Sequence, residues 1–162
     1  MNLDQADTSK AWQFLKNNRL ASLATISLED GSPQASLIYY IIDKNFHIYL
    51  VTAKESRKIR NILKNNKVAL VIGQELESLV LQIEGKARFV EDLDKRRDLA
   101  NRYLEIANKS NPNSLNWPPV MKLSSDFVFV EITITWFKFS DFSQEIASVT
   151  TSPKLQGLSA KL

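Results

Sequence analysis

The sequence has no cysteine and a single histidine, His47. The first absence excludes disulfides, thiolate metal sites, iron–sulfur clusters and a cysteine nucleophile; the second excludes a His-rich metal site within one chain. Glycine is also scarce, with four scattered residues, so there is no glycine-rich phosphate loop. Charge of one sign is lacking as well: 21 Lys and Arg stand against 18 Asp and Glu, a formal +3, mixed along most of the chain. That balance argues against a nucleic-acid partner. Long apolar runs are missing. Stretches such as 37–42 and 68–72 fall far short of the roughly 20 residues of a membrane helix, and the opening MNLDQADTSK has no basic patch followed by an apolar core. The expectation is a cytoplasmic protein with no membrane contact, no metal site and no nucleic acid.

What is present is enough apolar content, 44% over 162 residues, for one core and one domain spanning 1–162. Thr8 followed by KAWQFLKNN predicts a capped helix with Trp12 and Leu15 facing inward. RLASLATISL, the Asp30–Gly31 turn and PQASLIYYIID predict a hairpin, and FHIYLVT predicts a third strand. A basic helix follows over 56–66, with Ile59, Ile62 and Leu63 on one side. KVALVIG and SLVLQIEGKARFVE read as strands, and Gly85 in the second marks a bulge or the close approach of another backbone. A charged helix over 92–109 carries Leu99, Tyr103 and Ile106. DFVFVEITITWFKFSD alternates as a late, partly solvated strand. The core spans about 8–142, and the tail of about 143–162 is expected to be loose or draped on a partner. Helices this few, with hairpins between neighbouring strands, predict a mainly β fold: an antiparallel barrel or curled sheet.

The most informative stretch is LVTAKESRKIRN, residues 50–61. A strand ends in Thr52, and Ser56, Arg57 and Lys58 open a helix. A helix N-terminus carries unsatisfied N–H groups and about half a positive charge, so it attracts anions. Two cations in the first turn oppose that dipole, a cost a bound anion offsets. The cluster reads as a phosphate cradle; the bland alternative is a pair of solvated helix charges, as Arg60 and Lys64 are expected to be.

Taken together, ASLATIS, EDGSPQAS, LIYYIID, FHIYLVT, SRKIRNILKNNKVALVI and QIEGKARFVED resemble the pyridoxamine 5'-phosphate oxidase-like family of FMN-binding split barrels, in order from about residue 12 to 92, with a further match in TWFKFS. The resemblance implies a split β-barrel and a homodimer with FMN between the subunits. It implies that Ser56, Arg57 and Lys58 grip the flavin phosphate with Val51 and Thr52 beside them, and that Ala35, Ser36, Leu37 and Ile38 run past the ring. Gln82 holds the place of a glutamine near the flavin, two residues out of register, and Trp136 that of a tryptophan reaching the flavin from the other subunit. The family's named oxidases have a lysine at the end of the ring-side strand, where Tyr39 or Tyr40 stands here. They also have an Arg-x-His motif where DFSQEIASV follows here. The implied function is therefore an FMN-dependent oxidoreductase other than a vitamin B6 oxidase, with a reduced nicotinamide as donor and no side chain assigned as catalytic. Two other readings share the pattern: a deazaflavin reductase of the same fold, and a flavin- or haem-binding protein that senses or sequesters its ligand. His47 reads either as a proton donor or haem ligand or as a surface residue, and Trp117 either as a lid or as a packing anchor.

Overall fold

The computed structural model describes residues 5–73, 78–110, 126–143 and 148–152. The order is α1 (Gln5–Asn17), β1 (Leu20–Ile26), β2 (Pro33–Ile42), β3 (His47–Ala53), α2 (Arg57–Lys64), β4 (Lys67–Ile72), β5 (Leu79–Phe89), α3 (Leu93–Ser110), β6 (Phe127–Asp141) and β7 (Ser148–Ser152). All strand pairs are antiparallel, in the order β3-β2-β1-β4-β5-β6, and β3 pairs with β6 to close a six-stranded barrel. β7 adds to the far half of β6, from Phe137 to Asp141. Part of the tail expected to be loose is thus a strand. Trp117 lies outside the described residues. None of the described helices is long and apolar enough to cross a membrane.

The hairpin forms where the sequence places it. Gly31 takes a left-handed φ of 73°, and the Asp30 carboxylate accepts from Ser32 N at 3.1 Å and Ser32 Oγ at 2.7 Å, closing the turn. The next turn is less orthodox. Phe46 has φ 60°, a conformation costing a non-glycine residue roughly 1–2 kcal/mol. Its ring is 4% exposed in the core, and the Asp43 carboxylate holds the turn by accepting from Asn45 N and His47 N.

Strand alternation sorts the side chains into two faces. Leu23, Ile38, Tyr40, Ile48, Leu50, Leu70, Ile83, Val130 and Ile132 fill the barrel, plugged at one end by Trp12, Phe14 and Leu15 of α1. α1 begins at Gln5, so Thr8, expected as its cap, lies inside the helix. At Gly85 the register of β5 against β6 shifts. A Cβ there would lie 2.7 Å from Ile132 Cγ2 and 2.8 Å from Thr133 O, so bulge and close backbone approach coincide.

The outer face is divided. α3 covers Ile41, Tyr49 and Phe129 with Leu99 and Tyr103, and the Tyr103 hydroxyl donates to Tyr49 O at 2.7 Å and Tyr39 O at 3.2 Å. β6 is partly solvated, as its alternation predicts: Thr133 and Thr135 are exposed, while Phe129 and Glu131 on the same strand are buried.

Candidate functional site

β3 ends at Ala53, whose carbonyl accepts from Ser56 N at 3.1 Å, and α2 starts one residue later. Ser56 occupies the cap position with extended φ and ψ, yet its side chain makes no capping bond. Its Oγ is shielded from solvent and has no hydrogen-bond partner. A buried hydroxyl without a partner costs free energy that a ligand can recover. Lys58, half-buried, sends Nζ to Thr52 Oγ1 at 3.3 Å. Burial first, and then the neighbouring Arg57 charge, lower its pKa below the ordinary lysine value. No acidic residue lies in the first turn of α2, and among the described residues neither Arg57 nor Lys58 pairs with a carboxylate. The junction therefore gathers Thr52, Ser56, Arg57 and Lys58, as the sequence indicates, into two cations and two hydroxyls with no anion among them. The first N–H groups of α2, which have no intrahelical acceptor, add to the same positive end.

Beside the cradle runs β2, which pairs with β3 only from Tyr40 to Ile42. Over Pro33–Tyr39 its strand partner among the described residues is β1, and at the end of this stretch Tyr39 O also accepts from the Tyr103 hydroxyl. Tyr40 N donates to Arg19 O, so by the alternation of an antiparallel ladder the backbone groups of Ala35, Leu37 and Tyr39 point to the uncovered edge. Ala35 and Leu37 are exposed on the outer face, whereas Ser36 is half-buried on the inward side and Ile38 lies in the core. By the same alternation the backbone groups of Ser36 and Ile38 point to β1, so neither residue offers its side chain or its N–H to the open edge. Tyr40 is a core residue whose hydroxyl donates to Leu15 O at 3.0 Å, which leaves Tyr39 as the tyrosine on the outer side. Val51 is half-buried against the α3 cluster.

Gln82 and Trp136 share the outer face with Ala35 and Leu37. The registers place Ala35, Ala24, Ala69, Glu84 and Trp136 in one cross-strand row, and Leu37, Ser22, Val71, Gln82 and Lys138 in the next. Trp136 is nevertheless remote from its own cradle. Thr52 lies opposite Val128, eight residues up the strand from Trp136, or about 25 Å at the usual strand rise.

A cavity of about 570 Å³ opens at the far end of β2, between α1 and α3. Its lining joins apolar Trp12, Leu15 and Ile106 to four cations, Lys16, Arg19, Lys44 and Arg102, and two acids, Asp43 and Glu105. Arg102 is oriented by Ile42 O, which accepts from Nη2 at 2.9 Å. Nothing in the sequence joins positions 16, 19, 44 and 102, so this cluster is legible only in three dimensions. His47 sits nearby with Nδ1 3.2 Å from the Asp43 carboxylate, which also accepts from the Tyr49 hydroxyl at 2.8 Å. No group of three His, Asp or Glu among the described residues could hold a metal ion.

The sequence pattern of the pyridoxamine 5'-phosphate oxidase family matches residues 8–141. The chain belongs to that family. Its fold is likewise that of structures related to pyridoxamine 5'-phosphate oxidase. A Clostridium acetobutylicum protein of the pyridoxine phosphate oxidase family, related to general stress protein 26, superposes with a TM-score of 0.70 at 16% identity, over 93% of this chain and 96% of that one. An FAD-binding protein of Mesorhizobium loti gives 0.61 at 21% identity, over 80% and 91%. A NimC/NimA family protein of Clostridium acetobutylicum gives 0.63 at 14%, over 88% and 91%. No curated protein matches the sequence.

Proposed function

We propose that this member of the pyridoxamine 5'-phosphate oxidase family is an FMN-dependent oxidoreductase that works as a homodimer. The observation that carries the reading is the partnerless Ser56 Oγ beside two cations that have no carboxylate. Each of these groups gains from a phosphate dianion: Arg57 as a planar fork, Lys58 as a point charge and Ser56 as a donor. Bound flavin supplies hydride and electron transfer, and the chain supplies binding, orientation and electrostatics. Ser56, Arg57 and Lys58 hold the phosphate, and Thr52 orients Lys58. Backbone N–H groups on the open edge of β2 face the place where negative charge develops.

Two observations support a second copy of the chain as partner. Leu20, Ile26, Leu37 and Val71 are 38–59% exposed, and the registers put them on one outer face around the alanine row. An apolar patch of this kind marks an interaction surface. The separation of Trp136 from its own cradle along β6 favours a flavin shared by two protomers, one supplying the cradle and the other Trp136. For the substrate, the cavity at the end of β2, where four cations outnumber Asp43 and Glu105, suits a small anionic acceptor, with a reduced nicotinamide as donor. Vitamin B6 oxidation is not proposed, since the Arg-x-His motif is replaced by DFSQEIASV.

The test is an absorption spectrum of the purified protein, then acid release and mass spectrometry of the bound molecule. About one FMN per chain, reducible by a nicotinamide, is the expected result. Release of FAD or a deazaflavin would replace the cofactor assignment. A protein that is colourless and takes up no added flavin would overturn the reading.

A further inference from the structure

We infer that Asn61 is the positioning residue of the phosphate cradle, an inference that rests on the cradle reading of Ser56, Arg57 and Lys58. α2 has eight residues, too few to hold a helix without tertiary support. Its place is set by what it docks against. Ile59 and Ile62 press into the core, but apolar burial is non-directional and permits the helix to slide or roll. Asn61 supplies the direction. It is 3% exposed, its Oδ1 accepts from Leu28 N at 3.0 Å, and its Nδ2 donates to Thr25 Oγ1 and Gln34 Oε1, both at 3.0 Å. Thr25 belongs to β1, Gln34 to β2 and Leu28 to the turn between them. One side chain thus ties the helix to both strands of the hairpin and to its turn.

Asn61 lies three residues after Lys58 and four after Arg57, one turn along the same helical face. Ser56 O accepts from Ile59 N and Arg60 N, so Ser56 moves with the helix; the other local ties are Ser56 N to Ala53 O, Lys58 Nζ to Thr52 Oγ1 and Arg60 Nη1 to Glu55 O. A roll of α2 would move Ser56 and both cations together relative to Thr52 and to the open edge of β2, the strand that Asn61 grips through Gln34. A leucine at position 61 would bury as much surface and need no partners. What asparagine adds is three fixed directions, and charge-assisted phosphate contacts depend on geometry of that kind.

The experiment compares affinities for FMN and riboflavin, which differ by the phosphate alone, through titration of flavin fluorescence. Wild type should prefer FMN. In Asn61→Leu the preference should fall about tenfold or more, the scale of one charge-assisted hydrogen bond lost, with riboflavin affinity unchanged. Thr25→Val, isosteric and lacking one acceptor, should give a smaller fall in the same ratio, and it carries the test if Asn61→Leu does not fold. A purely structural role would weaken both flavins together or neither. Folded variants that keep the wild-type preference overturn the inference while leaving the cradle standing. A wild type with no preference for FMN over riboflavin overturns the cradle, and the inference with it.

Discussion

Lys58 Nζ meets Thr52 Oγ1 at 3.3 Å, a half-buried cation whose closest tie is to a neutral hydroxyl. Burial and the Arg57 charge hold its pKa below the ordinary 10.5. A lysine with a lowered native pKa disfavours the folded state while it is charged, and the penalty disappears as pH rises past 10.5. Lys58→Met should therefore raise the melting temperature of the flavin-free protein at neutral pH. The same change should weaken FMN by about 1.5–3 kcal/mol, the worth of a hydrogen bond to a charged group. Thermal melts with and without FMN check both; lower stability of the empty variant would mean that the ammonium is held by something other than the ligand.

Val71 and Leu37, 48% and 59% exposed, lie in one cross-strand row, separated by Ser22. A glutamate at either position places a charge in the proposed dimer face without touching the barrel core. Sedimentation should show a monomer with unchanged far-UV circular dichroism, and FMN affinity should drop with the dimer. A variant that stays dimeric would move the interface elsewhere.

Glu131 is buried, with its carboxylate accepting from Arg88 Nε at 2.7 Å and Lys95 Nζ at 3.0 Å. Burial alone would raise its pKa, but the hydrogen bonds and charges of Lys95 and Arg88 outweigh it and hold the group below 4.5. The stabilisation is therefore complete above about pH 4.5 and is lost as pH falls through the lowered native value. Glu131→Gln should cost about 1–3 kcal/mol at neutral pH and flatten the acid limb of a pH–stability curve. Parallel acid limbs in wild type and variant would remove Glu131 as its source.

Arg102 lines the cavity at the end of β2 and is held by Ile42 O. If an anionic acceptor binds there, Arg102→Gln should raise its KM by about tenfold, roughly 1.4 kcal/mol, with little change in kcat. A neutral acceptor should be unaffected. Equal losses for both would assign Arg102 a packing role through its aliphatic stem.

The parts of the molecule that could be read from the sequence are those whose cause is local. The Asp30–Gly31 turn, the alternation of β2 and the Thr52-to-Lys58 junction each depend on residues a few positions apart, and each appears where expected. Ser56 was half legible: its cap position is a local matter, but the missing partner of its hydroxyl is a fact about surroundings. The burial of Glu131 is not legible in the same way, because alternation reports which face of the strand a residue takes and not that Lys95 of α3, some thirty-five positions earlier, covers it. Asn61 looks like any polar residue on a basic helix until Thr25, Gln34 and Leu28 converge on it. The cations at the end of β2 come from two helices and two connecting segments, and no spacing rule connects them.

The division of labour within β2 bears on how such a protein changes over generations. Ile38 and Tyr40 are locked among core side chains, while Ala35 and Leu37, on the alternate positions, point outward from the same backbone. Exchanging an outward residue alters the chemistry offered at the open edge without disturbing the packing beneath it. The strand is thus a mount with interchangeable fittings: its outward positions can change while the barrel beneath keeps its packing.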